Sequence, residues 1–174
     1  LNAGHTVVGV DNMNSSYDVR IKSYRLSKLK GHSGFSFHLL DISDREALNP
    51  SSEIAKHEFD AVINLAARAG VRNSVLDPWV YIDTNITGTL NLLEMCRHKQ
   101  IPKFILASTS SIYGEGAPLP TPEEASSDLP LQPYAASKKG AEALCHAYHF
   151  LHDIDVTIFR YFTVYGPAPR PDMV

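Results

Sequence analysis

Short apolar runs and longer stretches of helical spacing alternate along the chain. Residues 6–10 (TVVGV), 35–40, 60–66 (DAVINLA), 103–108 (KFILAS) and 156–162 have the near-continuous apolar character of strands covered on both faces. Between them, residues 15–30, 43–57, 77–98 and 134–151 repeat apolar side chains at helical intervals. In 77–98 the stripe runs through Ile82, Ile86, Leu90, Leu93 and Met95. Ser43, followed three residues later by Glu46, predicts a capping box at the head of the second helix. This alternation predicts an α/β fold: a doubly wound, Rossmann-like parallel sheet. Both ends read as truncated. Residues 1–4 look like a helix tail closed by Gly4, and the Pro-rich stretch 166–174 stops without a closing element.

Composition narrows the class. The 174 residues are 44% hydrophobic and 20% charged, which suits a globular domain with a core. The net charge of −3 and the lack of a basic block argue against nucleic acid as a partner. No apolar run reaches membrane-spanning length. Cys96 and Cys145 fit no metal or redox spacing, so reduced thiols and a cytoplasmic setting are expected. His146, His149 and His152 recur every three residues on one predicted helix, where a polar surface is favoured over a metal site, and no metal is expected.

In doubly wound sheets, ligands sit beyond the carboxyl ends of the strands. Asp11, Asp41, Ala66–Arg68, Ser108–Ser111 and Tyr161–Thr163 collect there. A carboxylate at Asp11 can accept a hydrogen bond from a ribose 2′-hydroxyl and would repel a 2′-phosphate, which favours NAD over NADP. As a turn residue ahead of Asn12 it is equally well placed. Tyr134 and Lys138 stand four residues apart on one helical face, just after Pro133. An ammonium beside a phenol favours the phenolate, so such a pair can take and return a hydroxyl proton. Alone, this spacing arises often by chance. Its weight comes from its place after the fourth strand and the long loop 114–133. Ser108–Ser111 could hydrogen-bond the same substrate oxygen or simply form polar turns.

Taken in order, Asp11-Asn12, Asn64-Leu-Ala-Ala67, Asn85-Ile-Thr-Gly88, Ala107-Ser-Thr-Ser-Ser-Ile-Tyr-Gly114, Tyr134-Ala-Ala-Ser-Lys138 and Arg160-Tyr-Phe-Thr-Val-Tyr-Gly166 resemble the extended short-chain dehydrogenase/reductases that act on nucleotide sugars. Within that group the chain is most similar to UDP-glucuronate 4-epimerases, through Asp11-Asn-Met-Asn14, Tyr17-Asp-Val-Arg20-Ile-Lys22, Ala69-Gly-Val-Arg72, and Phe162–Pro167 with Arg170-Pro-Asp-Met173. There are departures. Asn64 stands where His is common, Arg68 and Asn73 replace Gln and Tyr, and Ala168-Pro169 replaces Trp-Gly.

The resemblance implies NAD as cofactor and a UDP-sugar as substrate, with UDP-glucuronate converted to UDP-galacturonate through a transient 4-keto sugar as the expected reaction. It assigns Tyr134 as base, Lys138 as its partner and the binder of the nicotinamide ribose, and Thr109 as the hydroxyl that aids Tyr134. Asp11, Asn12, Ser15 and Ser16 would hold the adenosine ribose, and Asp41 and Ile42 would flank adenine. Leu65, Ala66 and Ala67 would line the pyrophosphate and nicotinamide ribose. Asn85 would support the active-site end of the cofactor, and Phe162 would lie near the nicotinamide. Thr109, Ser110, Ser111, Thr163 and Arg170 would face the sugar, with the Arg170 guanidinium suited to a carboxylate. Dehydratase and decarboxylase relatives carry an acid at the position of Ser111, so these reactions are disfavoured beside epimerisation, and UDP-glucose remains an alternative substrate. A homodimer is expected for the full-length protein. The chain would be a partial NAD-binding domain lacking the first strand and its glycine turn, with the substrate region starting near 163–174. A non-catalytic NAD sensor and an inert fragment are the competing readings.

Overall fold

The computed structural model describes residues 1–167 and residue 169. They form two compact units. One contains Leu1–Asp41 and the described residues from Thr163 onward, and the other contains Ile42–Phe162.

In the first unit, β1 (Val7–Asp11) pairs in parallel with β2 (Phe35–Leu39), with Val7 opposite Phe35 and Asp11 opposite Leu39. Helix α1 (Val19–Leu29) connects them. It begins one turn later than the predicted 15–30 because Asp18 caps it, accepting the Arg20 N–H at 2.9 Å. Gly4 has φ 86 and closes a single turn onto the Leu1 carbonyl at 2.9 Å, which is the cap geometry expected of it. No described residue of this unit is fully buried.

The second unit holds the core. β3 (Ala61–Asn64), β4 (Lys103–Thr109) and β5 (Asp155–Tyr161) form a parallel sheet with β4 in the centre. β4 shows the burial expected of a central strand: Phe104 and Leu106 are fully enclosed, as are Leu93, Ile101 and Ile112. Helix α5 (Pro133–His152) packs on β4 and β5, with Pro133 pre-set at its first position.

Two predicted helices are corrected. Residues 43–57 form two 3₁₀ turns, Glu46–Leu48 and Ile54–Lys56, instead of one helix. Pro50 cannot donate to a helix ladder and forces Asn49 into an extended conformation (ψ 162). The Glu46 N–H, which a capping box would give to Ser43, is accepted by Asp44 at 3.0 Å. The stretch 77–98 is also not a uniform helix. It is preceded by a separate short helix, α2 (Val71–Leu76), and opens as one turn, α3 (Trp79–Tyr81). A π-helical turn, Ile82–Thr87, follows, and then α4 (Gly88–Lys99). The π turn rotates the buried face onto Asn85, Thr89 and Leu93. Ile82, predicted to lie in the apolar stripe, is therefore 37% exposed.

Candidate active site

The sequence pairs Tyr134 with Lys138, and α5 sets both on one face near its start. Tyr134 is half-buried, and its ring lies edge-on to Tyr81 at 6.2 Å between centroids. Lys138 is only 2% exposed. Burial lowers its ammonium pKa to about 8, opposed by the charges of Cys145 and Glu142. Burial also pushes the Cys145 thiol up to about 12, so at neutral pH Glu142 is the anion that counts.

What holds this helix in place is a polar network that reaches across the unit. Asn85, buried inside the π turn, donates to the Ser137 hydroxyl at 2.9 Å and to the Arg68 carbonyl at 3.0 Å, and accepts the Arg68 N–H at 2.8 Å. Ser137 in turn donates to the Tyr134 carbonyl at 2.7 Å. Thr89 donates to the Asn85 carbonyl at 2.7 Å and accepts from Asn64 at 3.0 Å, while Asn64 accepts the Ala66 N–H at 3.1 Å. The Tyr81 hydroxyl donates toward the Ala69 and Gly70 carbonyls at 3.2 and 2.9 Å. The end of β3, the π turn and the head of α5 are thereby fixed together. Two glycines permit the approach. A Cβ on Gly140 would meet Ile86 at 2.9 Å, and one on Gly88 would meet Ile42 at 2.6 Å.

Thr109 ends β4, buried, and caps the 3₁₀ turn Ser110–Tyr113: its Oγ1 accepts the Ser111 N–H and donates to the Ser111 hydroxyl, both at 3.2 Å. Ser108 is also buried, and its hydroxyl has no partner among the described residues. Ala66 and Ala67 are half-buried, Leu65 is 68% exposed and Phe162 is 61% exposed. Thr163 is exposed in the first unit, and Arg170 lies outside the described residues.

A second buried cluster, absent from the predicted site, lies behind α5. Arg160 on β5 binds Glu142 through two bonds of 2.9 and 3.2 Å, donates to the Glu123 carbonyl at 2.8 Å and lies 5.2 Å from the centre of the Tyr113 ring. These residues, with Thr121 and Phe162, line a cleft of about 520 Å³. Glu142 stands one helical turn beyond Lys138, so the spacing Lys138–Glu142 was a signal available in the sequence.

The nucleotide-end candidates sit in the first unit at the carboxyl end of β1. The Asp11 carboxylate accepts the Met13 N–H at 2.6 Å and faces the Lys22 ammonium at 3.3 Å. Asn12 donates to Asp41 at 2.7 Å. Ser16 donates to Asn14 at 2.6 Å, and Ser15 is exposed. Ile42, at the start of the second unit, is 6% exposed, and its carbonyl accepts from Asn91 at 2.9 Å. Of the three histidines, His149 bonds the Ile154 carbonyl at 2.8 Å and His152 lies against Tyr148 at 5.2 Å.

Known proteins are similar to this chain in sequence and fold. A UDP-glucuronate 4-epimerase of Thermodesulfobacterium geofontis is 53% identical over 173 residues, which is 99% of this chain and 53% of that protein. A probable UDP-glucuronate 4-epimerase of Rhizobium meliloti is 43% identical over 99% of this chain and 50% of its own length. The crystal structure of the Bacillus cereus UDP-glucuronic acid 4-epimerase, in complex with UDP-glucuronic acid and NAD, superposes with a TM-score of 0.86 at 39% identity, covering 98% of this chain and 52% of that one. The chain thus spans about half the length of the relatives it matches. All of residues 1–174 match one family, and on this ground the chain belongs to the NAD dependent epimerase/dehydratase family.

Proposed function

We propose that the protein containing this chain is an NAD-dependent 4-epimerase of a UDP-sugar, acting on UDP-glucuronate. The observation that carries the reading is the head of α5: Tyr134 with a nearly enclosed Lys138, anchored through Ser137 to Asn85. The relatives named above act on this sugar by their names, and Ser111 supplies no acid for dehydration.

The residues present suit a dinucleotide. A buried ammonium at Lys138 needs hydroxyl acceptors such as those of a ribose, and the unpaired Ser108 hydroxyl leaves polar capacity beside Thr109. In the first unit Asp11 and Asn12 would hold the adenosine ribose, helped by Ser15 and Ser16, and Asp41 would lie beside adenine. In the second unit Ile42 would contribute its backbone. Leu65, Ala66 and Ala67 would line the pyrophosphate and nicotinamide ribose, Asn85 would fix the active-site end, and Phe162 would meet the nicotinamide. When bound, NAD supplies the reversible oxidation at C4. The chain's own part is proton handling and orientation. Tyr134 takes the proton of the 4-hydroxyl and returns it after the sugar has turned, Lys138 favours the phenolate, and Thr109 holds the same oxygen. Ser110, Ser111, Thr163 and Arg170 would orient the sugar, with Arg170 on its carboxylate.

No glycine-rich phosphate turn precedes Asp11 in this sequence, and the chain spans about half the length of the relatives it matches. Residues 1–174 alone are therefore expected to bind NAD weakly or not at all; tight stoichiometric binding would contradict this. Exposed Trp79, Phe150 and Leu151 support pairing of two copies of the full protein. The free, buried Cys96 and Cys145 support a cytoplasmic setting. The test is to incubate the full-length protein with UDP-glucuronate and follow UDP-galacturonate; no product from NAD-loaded protein would overturn the assignment.

A further inference from the structure

Lys22 is the least expected residue of the first unit. It lies one turn into α1, yet its side chain is only 9% exposed, and its ammonium turns back to the end of β1. There it sits 3.3 Å from Asp11 Oδ1, 3.3 Å from Asn14 Oδ1 and 5.3 Å from the centre of the Tyr17 ring. Arg25 packs on the same ring at 5.5 Å and donates to its hydroxyl at 2.8 Å, so Tyr17 is a braced platform under the lysine. The Asp11 side chain is 47% exposed, and both its contacts, Lys22 and the Met13 N–H, fall on Oδ1. The printed bonds thus hold one oxygen of a carboxylate that stays half open to solvent.

We propose that Lys22 is a positioning residue that fixes the Asp11 carboxylate for the ribose 2′-position, and that it is itself a phosphate-binding cation masked by that carboxylate. This rests on the reading of Asp11 as the ribose carboxylate. A 2′-hydroxyl donates to this carboxylate, whereas a 2′-phosphate is repelled by it, an effect the lysine only partly offsets. With the Asp11 charge removed, the same lysine becomes a cation held in place for a phosphate. The chain thus carries a concealed phosphate-binding group, masked by one carboxylate.

The experiment measures NAD and NADP affinity in the full-length protein for the wild type and for Asp11→Asn, Lys22→Met and the double variant. Asparagine keeps an oxygen for the Met13 N–H. Asp11→Asn is expected to weaken NAD about tenfold and strengthen NADP at least about tenfold, each tenfold being ~1.4 kcal/mol. The NADP gain should weaken with salt. Adding Lys22→Met should return NADP to within about threefold of wild type, while Lys22→Arg in its place should keep most of the gain. A double variant that binds NADP as well as Asp11→Asn alone would overturn the role of Lys22 and leave the ribose reading intact. No change in either affinity on Asp11→Asn would overturn the ribose reading itself, and the proposal with it.

Discussion

The two units solve the same problem, holding polar side chains still, in opposite ways. In the first unit the end of β1 is shaped by a run of local polar contacts, joined by only a few longer ones such as Asn12–Asp41 and Lys22–Asp11. Asp11 accepts from Met13, Asn12 from Asn14, Asn14 from Ser16 and Asp18 from Arg20, each across two residues. These are Asx turns, and they need no core. In the second unit the contacts join distant segments: Asn64 to Thr89, Asn85 to Arg68 and Ser137, and Arg160 to Glu142. Every fully buried residue belongs to this unit. Local turns shape a surface that can adjust to a ligand. Buried long-range bonds fix a geometry, because a missing partner leaves an unsatisfied group out of reach of water.

If precision resides in the second unit, its loss should show first in turnover. Tyr134→Phe in the full-length protein should reduce epimerisation by about three orders of magnitude or more, within the range of general acid–base catalysis. The fold and NAD affinity should stay nearly unchanged, because the hydrogen bond tying this position to Ser137 uses its backbone carbonyl. Turnover within tenfold of wild type would remove Tyr134 from the chemistry.

The same comparison explains what could be read from sequence. The strands of the second unit follow from apolar runs such as KFILAS, and the candidate pair Tyr134 and Lys138 is marked by its place after Pro133 at the head of a helix. Asn85 was singled out by resemblance, but its bonds to Arg68 and Ser137 were not foreseeable, since they join segments 17 and 52 positions apart. The π turn was hidden because residues 82–87 carry an ordinary helical pattern, and their close approach to α5, where Ile86 lies against Gly140, joins segments far apart in sequence. The break in 43–57 has a sequence signal in Pro50, which cannot continue a helix ladder. In the first unit the Asp and Asn run was visible as turn chemistry, but the return of Lys22 across eleven positions was not.

A functional site often stabilises the fold less than an apolar one would, and Lys138 gives a measurable case. Its pKa is about 8 in the fold against an ordinary 10.5. Between those values the unfolded chain binds more protons than the folded one, so stability rises with pH through that window. Below about pH 8 the lysine is charged in both states and the desolvation penalty is fully present. Lys138→Met should therefore raise the stability of the ligand-free protein at pH 7, by on the order of 3 kcal/mol at most. The gain should shrink as pH approaches 10. Denaturation at both pH values checks the sign, and a gain that grows with pH would refute the account. Activity should be lost throughout.

Glu142 tests the long-range pair behind the site. Its side chain is 6% exposed and that of Arg160 is 24% exposed, so the pair is screened only in part. Glu142→Gln keeps the shape and one acceptor but leaves the guanidinium without its anion. The expected loss is about 2 kcal/mol, below the range for fully buried pairs because Arg160 reaches solvent. Urea unfolding measures it, and an unchanged midpoint would show that Arg160 is satisfied by the Glu123 carbonyl and the Tyr113 ring.

The smallest effect is expected where contacts are local. Asp18 caps α1, and its hydrogen bonds to Arg20 hold its carboxyl down to about 2. A carboxyl depressed in the fold adds stability above its unfolded pKa and loses it as pH falls toward about 2. The group is fully solvated, so water and salt compete for every bond it makes. Asp18→Ala should thus lower the melting temperature slightly at pH 7 and by less at pH 3. The shift should diminish in high salt and be smaller than that of Glu142→Gln under all these conditions. Reversal of that order would mean that the local ladder carries more of the fold than its exposure implies, and the division of labour between the units would have to be redrawn around α1.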